Sequence, residues 1–198
     1  ERAPTWGKPS IPLRAVATAV LRMASNPEVF IEPAQEILGV DINIISGIEE
    51  ATYTAKGALL GLPRVASGIV VDVGGQSTEV CCVDGDGHSW AVSMPLGVVG
   101  LTERFFHTDP PTEAALILAR DHIREVLRKE VPSDLTGPLV AAAGTATTLG
   151  RIHGGLKKWN RHMVHGLCMS QVDVAHWLNL MLERTSLQRV EEFKIDPR

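Results

Sequence analysis

Only three cysteines occur in 198 residues, Cys81, Cys82 and Cys168. The number is odd, and the first two are chain neighbours whose side chains point to opposite faces of a strand, which argues against a disulfide framework. They read as small core hydrophobes in a reducing, cytoplasmic setting. No apolar run approaches the ~18 residues of a membrane span, and Glu1–Pro12 lacks a signal-peptide pattern. Positive charge is not in excess either. The formal net charge is −4, so no global basic field draws in nucleic acid or an anionic membrane, and an anionic ligand must be met locally. No internal repeat or low-complexity segment is evident. What is present, 44% hydrophobic and 21% charged residues, is the composition of a soluble globular chain with one large domain or two small ones.

The most informative stretch is Ile69–Val83, Ile-Val-Val-Asp-Val-Gly-Gly-Gln-Ser-Thr-Glu-Val-Cys-Cys-Val. Two β-rich runs flank a glycine turn, which predicts a hairpin. Gly74 and Gly75 have no side chain to hold an anion away, so backbone amides can point at phosphate oxygens, with Ser77 and Thr78 adding hydroxyl donors. Asp72 and Glu79 stand on either side of the turn, where hard oxygen ligands can hold a Mg²⁺ that bridges to the same phosphates. An isolated Gly-Gly is more often plain turn geometry; the order acid, Gly-Gly, Ser-Thr, acid is more specific.

Before the hairpin, Leu13–Val20 reads as a strand end running into a short helix around Leu21–Ser25, stopped by Asn26-Pro27. Glu28–Leu38 reads as a helix with Gly39 as its C-cap, and Ile42–Ile45 as a short strand. Ser46-Gly47-Ile48-Glu49 has the capping-box pattern and opens a helix to about Leu60. Glu49 then folds back onto the cap, while Glu50, about 100° further round, is free to face something else. If one of the two acids is catalytic, this logic favours Glu50; the plain alternative is two first-turn acids complementing the helix dipole. Gly61–Ser67 reads as a hinge.

After the hairpin, Asp84-Gly85-Asp86-Gly87 predicts a tight turn into a third strand, Ser89–Met94. A Ca²⁺ loop is disfavoured because Pro95 stands where its Glu would be. A short helix is expected over Gly97–Phe106, then a long one opened by Pro111 and Thr112 with Leu116, Ala119, Ile123, Val126 and Leu127 buried. Pro138–Ala143 reads as a buried strand entering a helix through Gly144 and Thr145. That helix N-terminus is a second, weaker anion site. The loop Gly154–Gly166 carries Lys157, Lys158, Arg161, His162 and His165, a local positive surface. His162, His165 and Cys168 are spaced like metal ligands, but no fourth is apparent, and zinc is disfavoured. Ser170 caps a helix with Val174, Trp177, Leu178 and Met181 inward, and a short helix follows from Leu187 to Phe193.

Four stretches in order resemble the exopolyphosphatase and guanosine pentaphosphate phosphohydrolase family of the actin-like ATPase and sugar kinase superfamily. They are Ala17-Thr18-Ala19-Val20-Leu21-Arg22 through Asn26, Ser46-Gly47-Ile48-Glu49-Glu50-Ala51, Val71-Asp72-Val73-Gly74-Gly75-Gln76-Ser77-Thr78-Glu79, and Ala143-Gly144-Thr145. The resemblance implies an α/β, actin-like ATPase (ribonuclease H-like) fold, with mixed sheets flanked by helices in two domains around a cleft. It makes Glu50 the base that activates a water, has Arg22 help stabilise charge on the transferring group, and gives Mg²⁺ to Asp72 and Glu79. Phosphate falls to Ser46, Gly74, Gly75, Gln76, Ser77, Thr78, Gly144 and Thr145. The implied partner is a small or polymeric phosphate substrate, with no nucleic acid or membrane, and a homodimer is allowed.

Two departures from the family pattern stand out. Nothing before Leu13 resembles the family's first glycine and serine phosphate motif, so the chain looks like a fragment: 1–66 the end of a first domain, 67–198 the second. Alone it is expected to hydrolyse poorly. The family's third turn glycine is Gln76 here, and Gln rarely adopts positive φ, so either the turn differs or the side chain joins in binding. Rival readings are a non-catalytic phosphate or nucleotide sensor and a kinase of the same superfamily.

Overall fold

The computed structural model describes residues 12–62, 65, 67–84 and 87–195. The N-terminal loop reading (1–11), part of the hinge (63, 64, 66) and the tip of the Asp84–Gly87 turn (85, 86) lie outside the described residues. Two strands, β1 (Ala15–Ala17) and β2 (Ile42–Ile44), pair in parallel through α1 (Ala19–Met23) and α2 (Glu28–Leu38). Gly39 ends α2 at φ +69°, a left-handed conformation that a side chain would disfavour, and its N–H reaches the Gln35 carbonyl. Helix α1 begins at Ala19, two residues earlier than expected.

Helix α3 (Gly47–Leu60) has the predicted bounds, and both bonds of its capping box form. Ser46 Oγ accepts from the Glu49 N–H at 3.2 Å, and Glu49 Oε2 accepts from the Ser46 N–H at 2.8 Å.

The second sheet has the order β5-β4-β3-β6: β3 (Gly68–Val73), β4 (Thr78–Asp84) and β5 (Gly87–Met94) are antiparallel neighbours, and β6 (Leu139–Ala142) runs parallel to β3. A parallel return needs a crossover, supplied by α4 (Val98–Phe105) and α5 (Glu113–Glu130). The rest of the described chain is helical: α6 (Ala143–His153), α7 (Arg161–Val164), α8 (Gln171–Leu182) and α9 (Ser186–Phe193).

Side-chain alternation gives this sheet two different faces. On one, Val70 and Cys81 pack under Ala51 and Ala55 of α3, whose small side chains let the helix approach closely; Ala55 is fully buried. On the other, Val80, Met94 and Leu96 form a cluster with Leu101 of α4 and Ile123 and Val126 of α5.

Three expectations need correction. Strand β6 is the sheet edge and is not buried: Leu139 is 69% exposed, because no described element pairs with its outer side. Cys168 is exposed, unlike a core hydrophobe; Cys81 is buried as expected. Helix α8 is only partly covered, with Val174 and Leu178 exposed, and is held to α6 by a hydrogen bond from Trp177 Nε1 to His153 Nδ1 at 3.1 Å. Among the described residues no helix is long and apolar enough to cross a membrane.

The C-terminal helices are tied down by a buried arginine. Arg151 of α6 donates to the carbonyls of Leu156 (2.8 Å), Phe193 (2.6 Å) and Lys194 (3.1 Å), clamping the end of α9. Arg151→Met fills similar volume but strips three carbonyls of a charged donor. The expected loss is roughly 2–4 kcal/mol, read as a fall of about 5–15 °C in Tm.

Candidate active site

The hairpin register places Asp72 and Glu79 directly opposite each other, and β5 adds Ser93 directly opposite Glu79. Because paired residues share a face, Ala142, Asp72, Glu79 and Ser93 form one row across four strands on the α3 side. The adjacent row, Val140, Val70, Cys81 and Ala91, is the apolar floor under Ala51 and Ala55.

Helix α3 lies across the strands along the polar row. At one end Gly47 meets Ser93; at the other Thr54 Oγ1 donates to Asp72 Oδ2 at 3.2 Å. Seven residues of helix rise about 10.5 Å, close to the roughly 9.6 Å between strands two apart. Glu50, between those ends, is thereby aimed at the middle of the row. Arg22, from the last turn of α1, meets it there: Nη1 and Nη2 both lie 3.3 Å from Glu50 Oε2, and Nη1 also donates to the Ile45 carbonyl at 2.8 Å. Arg22 and Glu50, 28 residues apart, become one pair.

Glu79 is 2% exposed, and Ser93 Oγ donates to its Oε1 at 2.6 Å. Burial pushes its carboxyl above the ordinary range, against the hydroxyls of Ser77 and Ser93, while the charges of Glu50 and Asp72 push it the same way as burial. The folded chain holds this proton more tightly than the unfolded chain. Its contribution to stability is therefore complete at low pH and is lost as pH rises through the raised value. In metal-free buffer, the Tm of Glu79→Gln minus that of the parent is expected to increase from pH 4 to pH 8; a difference that stays flat would contradict it. Glu49 goes the other way: its bonds from Ser46 hold its carboxyl below the usual range, as suits a capping residue.

The turn between β3 and β4 is braced from behind by α4. The amides of Gly97, Val98 and Val99 donate to the carbonyls of Gln76 (3.2 Å), Gly74 (3.0 Å) and Gly75 (2.8 Å). The unpaired donors at the start of α4 are thus spent on the turn's carbonyls. The amides of Gly75 and Gln76 meet no acceptor among the described residues. Gln76 does not adopt positive φ, so the turn accepts it without backbone strain. Next door, α6 starts at the end of β6, and Thr145 Oγ1 donates to the Val73 carbonyl at 3.1 Å, setting Gly144 and Thr145 beside the turn. Ala143, at the helix entrance, is held at φ +62°, a local strain located at the site.

Not every expected residue arrives. Thr78 lies on the opposite face of β4 and its hydroxyl donates to the Leu96 carbonyl at 2.9 Å; Ser46 Oγ donates to Glu49 Oε2 at 2.8 Å. His165 is turned to the Gly61 carbonyl (2.6 Å), and among the described residues no three His, Cys, Asp or Glu side chains converge as a metal cage. What does form is the cross-strand carboxylate pair Asp72–Glu79. It suits Mg²⁺, which takes one or two carboxylates and fills its remaining positions with water and phosphate oxygens. Thr54, Ser93, Gly47 and Gly97 escaped sequence reasoning; the helical spacing of Gly47, Glu50 and Thr54 was the available signal for two of them.

The sheet order, the braced hairpin turn and the neighbouring helix N-terminus make this an α/β protein of the actin-like ATPase fold. Residues 8–197 match the Ppx/GppA phosphatase family, and the chain belongs to it. It is similar to Exopolyphosphatase 2 of Mycobacterium tuberculosis, 31% identical over 93% of this chain and 60% of that protein. It is also similar to a Guanosine-5'-triphosphate,3'-diphosphate pyrophosphatase of Vibrio parahaemolyticus, 33% identical over 89% of this chain and 38% of that one. Among solved structures, an Aquifex aeolicus member of the Ppx/GppA family superposes with a TM-score of 0.83 at 30% identity, over 93% of this chain and 60% of that one. The chain thus spans about 60% or less of the length of these relatives.

Proposed function

We propose that this chain carries a phosphoanhydride-hydrolase site that releases terminal phosphate from inorganic polyphosphate or guanosine pentaphosphate, using Mg²⁺. The observation that carries the reading is the stacking of Glu50, held by Arg22, over the Asp72–Glu79 pair beside a turn with free amides. Glu50 accepts the proton of a water that attacks the terminal phosphorus, and the bond to the bridging oxygen breaks. Amides of Gly75 and Gln76 bind the phosphoryl oxygens, with the first turn of α6 at Gly144 and Thr145, while the Ser77 hydroxyl stays on Glu79. Asp72 and Glu79 hold the Mg²⁺, which when bound offsets negative charge on the transferring group. Arg22 orients the base. The basic segment from Lys157 to His165 offers a local anchor for the rest of the polyanion.

In this reading the domain boundary falls at residues 66/67, and α3 is the arm by which the first unit reaches over the second sheet. The setting is reducing and cytoplasmic, in which Cys81, Cys82 and Cys168 remain thiols. The test is orthophosphate release from both substrates by the full-length protein with Mg²⁺. Turnover that survives Asp72→Asn unchanged would sink the metal assignment. Saturable polyphosphate binding with no turnover would favour the sensor instead.

A further inference from the structure

Ser93 belongs to none of the stretches that carry the resemblance, yet it touches both halves of the site. It faces Glu79 across the β4–β5 ladder and donates to Glu79 Oε1 at 2.6 Å. Its other side is pressed against α3: a Cβ on Gly47 would lie 2.3 Å from Ser93 Cβ and 2.5 Å from its Oγ, with Arg22 Nη2 3.5 Å away. Only a glycine lets the helix sit this low over the strand. The hydroxyl fixes Oε1 of Glu79, whose carboxyl also meets the Ser77 hydroxyl. The seat of Gly47 on Ser93 fixes the start of the helix whose first turn carries Glu50.

We propose that Ser93 is a positioning residue. It orients Glu79 for the divalent cation, and its contact with Gly47 sets the height of Glu50 above that carboxylate. The proposal rests on the metal-site reading given above, so its test separates the two.

The direct probe is Mn²⁺ binding to the full-length protein, followed by electron paramagnetic resonance, with Tm measured alongside. Ser93→Ala keeps the Cβ and removes only the hydroxyl. The expected result is Mn²⁺ affinity weakened about tenfold or more with Tm changed by less than about 4 °C. Native affinity in Ser93→Ala, with Glu79→Gln and Asp72→Asn both weakened, overturns the role of Ser93 and leaves the metal site standing. Native affinity in all three overturns the metal site and the proposal with it. The seat is read separately. Gly47→Ala should lower Tm, and adding Ser93→Gly should recover most of that loss while Mn²⁺ affinity stays low. A double variant no more stable than Gly47→Ala overturns the seat.

Discussion

Glu50→Gln is expected to lower the rate of phosphate release by about 10²–10⁴-fold, the range for loss of a general base, with little change in fold. The amide keeps the shape of the side chain, and its carbonyl oxygen can still accept from Arg22, which reaches Glu50 Oε2 through both terminal nitrogens. What it cannot do is take a proton from water. Binding of substrate should persist, because the turn amides and the Asp72–Glu79 pair are untouched, so the loss belongs in kcat more than in KM. Glu49→Gln serves as the contrast. Glu49 is committed to the Ser46 cap, and replacing it should leave turnover within a few-fold. Turnover unchanged in Glu50→Gln but abolished in Glu49→Gln would reverse the assignment of the two acids.

The second large effect is expected at Gly97, outside the motif glycines. A Cβ there would lie 2.2 Å from the Gln76 carbonyl carbon and the Gly75 oxygen and 2.3 Å from Gln76 Cα, all backbone atoms that no rotamer change can move. Gly97→Ala must separate α4 from the turn and so break the brace on its carbonyls. The cost is about 2–3 kcal/mol, seen as a Tm lower by roughly 4–12 °C together with loss of anion binding. Gly75→Ala makes the comparison sharp. Its Cβ would meet only Val99 Cγ2 at 3.6 Å, an ordinary contact, and Tm should barely change. Equal losses in the two variants would show that the turn is limited by its own glycines and not by its fit to α4.

Local rules written in the sequence account for much of this. Gly39 closes α2 where the periodicity ends, Ser46 and Glu49 bound α3 at its start, and Thr112 and Ser170 cap α5 and α8 through their own hydroxyls. Each depends on residues within one turn of one another, so no tertiary information is needed. The Asp72–Glu79 pairing is equally local, since the short turn sets the register of its hairpin.

Ser93 shows where that legibility stops. The β4–β5 ladder begins with Asp84 opposite Gly87 and Val83 opposite His88, a register that, continued, would pair Glu79 with Val92. A bulge between Cys82 and Val83 shifts the register by one and brings Ser93 opposite Glu79, on the α3 face. Nothing in the strand's alternation announces that shift.

By itself, then, the sequence determined the caps, the hairpin and its glycine turn at Gly74 and Gly75, and separated Glu49, the cap residue, from Glu50. Only the tertiary structure decided that α3 crosses the strands along the polar row, that Arg22 pairs with Glu50, that Thr78 turns away, and that α4 braces the turn through Gly97. The physical reason is range. Caps and tight turns are closed by neighbours in the chain, whereas the approach of a helix to a sheet is set by whichever side chains are absent where the two surfaces meet. Here those are the missing ones of Gly47 and Gly97.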